Sequence, residues 1–149
     1  MHHEFSFSNV DFCCRHPYSL QIAAPAMLHH IALRTHSPAE LADFYVRVCG
    51  LVPVVGAPLN AAGPWLSAGG TVIMIEPRAA SEPGPTPGAL DLLAFQAAQP
   101  DLSSVLGFLT EQRVVVEATT QFTAYFRDPD GRRVALSTYR FPAVRPDGN

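Results

Sequence analysis

Three of the eight residues in the stretch HHIALRTH, residues 29–36, are histidine, and the whole chain has six. Imidazole is a common metal ligand and a general base near neutral pH. A divalent ion needs at least three protein donors of suitable type, and one short stretch rarely supplies them all. The other residues that could do chemistry lie far along the chain. Glu76 closes the run TVIMIE as a candidate base or ligand, although a solvated carboxylate at a strand end is equally ordinary. Tyr125 and Arg127 stand in TAYFR, and Arg34 and Trp65 complete the set. A tyrosine can donate a hydrogen bond inside an apolar cavity, a tryptophan can stack on a planar ligand or cover an interface, and arginines can anchor a carboxylate or phosphate.

Several chemistries are excluded outright. All ten basic residues are arginine, so Schiff-base lysine chemistry and a phosphate-loop lysine are absent. The formal net charge of −3 with no basic stripe gives no field for nucleic acid. No nucleophile elbow or Ser-His-Asp pattern occurs. The three cysteines, Cys13, Cys14 and Cys49, include an adjacent pair and no CxxC, which reads as a reduced, cytoplasmic protein without a disulfide framework. Cys49 reads as a small buried hydrophobe. No apolar run is long enough to span a bilayer.

The elements that must position these residues form a repeat. LHHIALRT alternates as a strand, with Ile31 and Leu33 on one face and His30, Ala32 and Arg34 on the other. In HSPAELADFYVRVCGL, Ser37 is a candidate N-cap, Pro38 takes the first helical position, Glu40 would complete a capping box, and Gly50 ends the helix. LVPVVG, PWLSA and TVIMIE read as strands, the last two joined across Gly69-Gly70. Residues 77–88 are rich in proline and glycine and read as a linker. The order then recurs: strand LDLLAFQA, helix LSSVLGFLTEQR capped by Asp101, and strands VVVEA, TAYFR and RRVALST, with a turn at DPDG. Met74 plus 61 falls on Ala135, Trp65 plus 61 on Phe126, and His30 plus 62 on Leu92. The chain therefore reads as α+β, with two βαβββ modules over residues 28–76 and 89–139 of a domain at 27–140. Each helix covers one face of its strands, and the other faces form a concave half-barrel cavity. Residues 1–26 read as a poorly ordered extension without the pattern of a secretory signal, and 141–149 as a tail.

LHHIALRTHSPAELADFYVRVCGL, PWLSAGGTVIMIE and TAYFRDPDGRRVALSTY together resemble the vicinal oxygen chelate superfamily, which holds glyoxalases, bleomycin-resistance proteins and extradiol dioxygenases. The resemblance spans residues 28–139. It implies four metal positions, which fall on His30, Met74, Leu92 and Ala135. One of the four is a ligand for the ions this family uses; methionine is soft, and leucine and alanine cannot ligate. The expectation is therefore no metal site, no cofactor, and His30 as the retained family position, with a divalent metal as the alternative.

The resemblance also turns Tyr125 toward the pocket and implies a homodimer. The ligand-binding set is then His30, Arg34, Trp65, Met74, Leu92, Thr123, Tyr125, Arg127 and Ala135. It forms an apolar trough with a few polar points, suited to a small organic molecule. Three functions stay open. One is a metal-free binding protein. Another is a lyase, isomerase or dioxygenase using His30 with Glu76 or Tyr125. The third is an interaction module without a ligand.

Overall fold

The computed structural model describes residues 27–57 and 62–142. Cys13, Cys14, the extension at 1–26 and the tail from 143 lie outside the described residues. Strand β1 covers His30–Thr35, helix α1 Pro38–Cys49, β2 Val52–Pro53, β3 Trp65–Ala68 and β4 Thr71–Pro77. The second set repeats the order: β5 Leu92–Gln96, α2 Leu102–Glu111, β6 Val116–Thr119, β7 Thr123–Arg127 and β8 Arg133–Ser137. Each set makes one four-stranded sheet, in the orders β1-β4-β3-β2 and β5-β8-β7-β6. The first strand of each sheet runs parallel to the last, and the remaining pairs are antiparallel. The fold is the α+β pair of βαβββ modules read from the sequence. The two sheets are not closed onto one another.

Strand alternation sorts the side chains as expected. Leu33, Leu66, Ile73 and Ile75 of the first sheet are buried, as are Ala124, Phe126, Val134 and Leu136 of the second. They share one core with Leu41, Phe44, Tyr45 and Val48 of α1 and Val105 and Leu109 of α2. Helix α1 reaches both sheets. Besides packing on β1 and β4, it sets Phe44 against Phe126 (ring centroids 6.2 Å apart) and Tyr45 against Phe95 (5.9 Å). Burying one helix between two sheets gives the modules a common core, so neither has to supply its own.

A polar clasp joins the modules beside this core. The Tyr45 hydroxyl donates to Asp128 Oδ2 at 3.0 Å, and Asp128 also accepts from the backbone N–H groups of Asp130 and Arg132 and from Arg132 Nη1. Thr35 Oγ1 donates to Asp130 Oδ1, and Arg132 donates to the Arg34 carbonyl. Among the described residues Asp128 and Thr35 are the buried polar ones, and each is bonded, as buried polar groups must be. Burial, reinforced by the Asp128 carboxylate, raises the Tyr45 phenol well above its ordinary value.

Two local expectations are corrected. Trp65 is equivalent to Tyr125, not to Phe126. Trp65 lies opposite Met74, and the residue opposite Ala135 is Tyr125. The offset drops from 61 to 60 between β8 and β7 because the second hairpin carries one more residue. Four residues separate the pair Ser67–Val72, and five separate Arg127–Arg133. A one-residue slip reverses the face of every side chain, so Phe126 points into the core and Tyr125 away from it.

The capping box at α1 does not form. Ser37 is the N-cap but its side chain makes no capping bond. Its backbone N–H, which Glu40 would need to accept, donates instead to Thr35 Oγ1 at 3.1 Å. At α2 the expected cap is present: the Ser104 N–H donates to Asp101 Oδ1 at 2.8 Å, and this bond pulls the Asp101 pKa below its usual value. Gly50 ends α1 with φ +70°, the left-handed conformation that glycine adopts without strain.

Candidate functional site

The faces turned away from α1 carry the candidate residues, and strand register fixes their neighbours. In the first sheet the central row is Trp65, Met74 and Ala32. In the second it is Tyr125, Ala135 and Ala94. Each outer face thus has one aromatic side chain at the same place in the repeat, beside the position where the family resemblance puts a metal ligand. His30, Ala32, Arg34, Leu92 and Ala94 are exposed, Met74, Glu76, Trp65, Thr123, Tyr125 and Arg127 are half-buried, and Ala135 is buried. None of the main concavities among the described residues is lined by His30, Trp65, Met74 or Tyr125. In a single chain both faces are open surfaces.

The first face carries a histidine pair and one arginine cluster. His29 Nδ1 and His30 Nδ1 lie 2.9 Å apart, so one donates to the other and His30 keeps Nε2 for a ligand. His30 stands opposite Val72, whereas Glu76 stands opposite Arg34. Four residues of strand separate Glu76 from the level of His30, roughly 13 Å at ~3.3 Å per residue. Within one chain these two cannot meet on one metal ion or one substrate atom. Arg34 is already engaged. Its Nε and Nη2 each donate to Glu82 at 2.9 Å, and Nη2 also donates to the Pro77 carbonyl. Its Nη1 lies 3.6 Å from Glu76. A bidentate arginine–carboxylate pair is the strong form of this contact.

The second face carries an arginine pair around Tyr125. Arg127 donates to Glu117 and to the carbonyls of Ala89 and Gly131. Arg133 lies with its guanidinium carbon 4.4 Å from the Tyr125 ring centroid, a cation–π contact. Thr123 Oγ1 donates to Ser137 Oγ at 2.9 Å. The sequence reading did not single out Arg133, Glu117 or Glu82. Strand alternation did point to Arg133, two residues before Ala135 on the same face. Nothing local pointed to Glu82 or Glu117, whose roles come from a linker crossing and from the β-bulge between Val116 and Ala118.

At the four positions that the resemblance implies for a metal stand one imidazole, one thioether and two groups that cannot ligate, a donor set that does not fit a divalent ion. Among the described residues no group of three His, Cys, Asp or Glu side chains lies close enough to hold an ion.

No family model matches the chain, and no curated protein matches it. Solved structures do. A lactoylglutathione lyase from Agrobacterium tumefaciens superposes with a TM-score of 0.55 at 22% identity, over 77% of this chain and 95% of that one. A glyoxalase/dioxygenase from Nostoc punctiforme gives 0.58 at 20% identity, over 74% and 88%. TnmS3, an antibiotic binding protein from Streptomyces sp. CB03234, gives 0.55 at 23% identity, over 77% and 97%. Enzymes and a binding protein share the architecture, so the fold alone does not choose between them. The chain is built on the fold of the glyoxalase-like, vicinal oxygen chelate proteins.

Proposed function

We propose that the chain binds a small, partly apolar organic molecule on its outer sheet faces, without the metal that the family resemblance implies. The observation that carries this reading is the central row of each face. Of the four positions where the family resemblance puts metal ligands, only His30 could ligate such an ion; Met74 and Ala135 lie in the central rows beside Trp65 and Tyr125, and Leu92 lies on the second face opposite Arg133. Apolar floors with aromatic walls and a few polar points suit a planar or amphiphilic ligand. The superposition on an antibiotic-binding protein supports the same reading. His30 and Arg34 at one face and Thr123 and Arg127 at the other supply the polar rim.

The open faces further support a homodimer in which one copy's first module pairs with the partner's second. Such pairing would set Trp65 and Tyr125 around one enclosed cavity. Among the described residues no helix is long and apolar enough to cross a membrane. With no cysteine framework in the sequence, the reducing cytoplasm is the proposed location.

Metal analysis of protein purified without chelator, followed by calorimetric titration with Mn²⁺, Ni²⁺, Zn²⁺ and Fe²⁺ against His30→Ala, tests the metal-free reading. The expected result is near-zero content and no His30-dependent heat. Binding of polycyclic aromatic probes should survive chelator and weaken about tenfold in Trp65→Ala or Tyr125→Ala. Stoichiometric metal lost in His30→Ala would overturn the reading in favour of an oxygen-chelating enzyme. A monomer by light scattering at micromolar concentration would sink the paired cavity.

A further inference from the structure

A second recess lies apart from the central rows, where the linker crosses the junction of the two modules. It is a groove of about 300 Å³ whose apolar wall is Leu33, Pro85, Ala89, Leu92 and Leu93. Leu33 comes from β1 and Leu92 and Leu93 from β5, so the groove exists only because the two sheets are brought side by side. Its volume is at the lower end for small-molecule pockets.

Three charged side chains reach this groove: Asp91, Arg132 and Arg133. Arg132 is fully committed to the inter-module clasp, with Nη1 at 3.1 Å from Asp128 and 2.8 Å from Asp130. Burial works against its charge, but the bonds to Asp130 and Asp128 outweigh that and raise its pKa. Arg133 is different. Its guanidinium makes no hydrogen bond among the described residues, and its Nε is buried without a partner. Its nearest carboxylate, Glu117, is 3.7 Å away and is already bonded by Arg127. The Tyr125 ring fixes one face of the guanidinium, which leaves the in-plane Nη donors for something else.

Asp91 is the complementary case. It is exposed, and it forms neither a salt bridge nor a side-chain hydrogen bond among the described residues. It stands one residue before Leu92, the register partner of Arg133. A cation held only by a long 3.7 Å ion pair to Glu117, with no hydrogen bond, and an anion without a partner among the described residues therefore line one apolar groove without meeting within salt-bridge distance.

We propose that this groove binds a small apolar zwitterion, of the class of a free apolar α-amino acid. The ligand's carboxylate takes the Nη donors of Arg133, its ammonium faces Asp91, and its side chain lies on Leu33, Leu92 and Leu93. The charges then balance pairwise, and the apolar body covers the leucines. The proposal needs no metal, and it shares with the second outer face only Leu92 and the Arg133–Tyr125 contact.

Calorimetric titration with L-phenylalanine, 3-phenylpropionate and phenethylamine tests it on the full chain. Saturable binding is expected for L-phenylalanine, with either single-charge analogue weaker. Arg133→Gln should weaken L-phenylalanine about tenfold or more, the loss of a charge-assisted bond, and Arg133→Lys should restore part of it. Asp91→Asn should weaken L-phenylalanine but strengthen 3-phenylpropionate, because only the first carries an ammonium. Glu111→Gln, on an exposed helix end, serves as the unaffected control, and thermal melts show that each variant is folded. Amide shifts on titration should centre on Ala89, Leu92 and Leu93. Three outcomes each overturn the proposal: no saturable binding of L-phenylalanine, equal binding of all three probes, or shifts centred on Met74 and Trp65. The last of these would leave the outer-face reading standing.

Discussion

The two helices occupy equivalent places in the repeat and do unequal work. Helix α1 buries Leu41, Ala42, Phe44, Tyr45 and Val48, whereas α2 buries Val105 and Leu109. The extra burial on α1 comes from the other module, through Phe126 and Phe95. Helix α2 covers its own sheet and leaves Leu102, Leu106 and Phe108 partly open. The outer faces diverge in the same way. The first carries His30 and the Arg34, Glu76 and Glu82 cluster; the second carries Arg127, Arg133 and Glu117 beside Tyr125, with Leu92, Ala94 and Ala135. A repeated unit keeps its strand and helix pattern because each copy must bury one face, but side chains on the free face are under no such constraint.

The sharpest way to break the asymmetry is Asp128→Ala. It strands the buried Tyr45 hydroxyl, frees the backbone N–H groups of Asp130 and Arg132, and leaves Arg132 with Asp130 as its remaining carboxylate, and it should cost about 3–5 kcal/mol in denaturant unfolding. A loss under 1 kcal/mol would mean that the modules do not depend on this contact.

Gly63→Ala probes the first module alone. A Cβ there would sit 2.1 Å from the Ile75 carbonyl oxygen, which belongs to a strand and cannot swing aside. The expected loss is about 1–3 kcal/mol. Its counterpart in the second module is Thr123, whose side chain is accommodated at the edge of β7.

The helix ends give a smaller and oppositely signed pair. Gly50 and Arg113 both have positive φ, +70° and +58°. Gly50→Ala should destabilise by about 1 kcal/mol, and Arg113→Gly should stabilise by a similar amount, because only glycine adopts this conformation without cost. Equal signs in thermal melts would contradict the structure of one of the two ends.

The smallest effect concerns Cys49 at the end of α1. Burial, then the nearby Asp128 charge, pushes its thiol pKa up to about 12. The folded state thus holds this proton more tightly than the unfolded chain does. Stability should fall as pH rises from the ordinary thiol range toward 12, and should be unaffected by this group below that range. Native protein should alkylate slowly at Cys49 at pH 8, and urea should abolish the protection, as read by peptide mass mapping.

Much of the architecture was legible in the chain. Alternation in HIALRT, VIMIE, TAYFR and RVALS set the strand faces, and Asp101 and Gly50 marked helix limits. The misreadings share a physical origin. The Trp65–Tyr125 equivalence was hidden by one extra residue in a turn, which changes register without changing pattern. The Ser37 capping box failed because a threonine two residues upstream took the same N–H. Arg34 read as a free anchor because its partner Glu82 is 48 residues away, on a linker with no periodicity. The candidate site was legible as a set of positions on two faces, but not as a set of neighbours.

Residue type and spacing by themselves determined the βαβββ repeat and the inward and outward faces. These follow from local backbone geometry and from the need to bury alternate side chains. Tertiary structure alone decided that α1 lies between both sheets, that Arg34 and Arg127 are hydrogen-bonded to carboxylates while Arg133 has only a long ion pair, and that the linker borders a groove between β1 and β5. Those facts depend on contacts between segments tens of residues apart, where burial and hydrogen-bond competition act on residues that no local pattern connects.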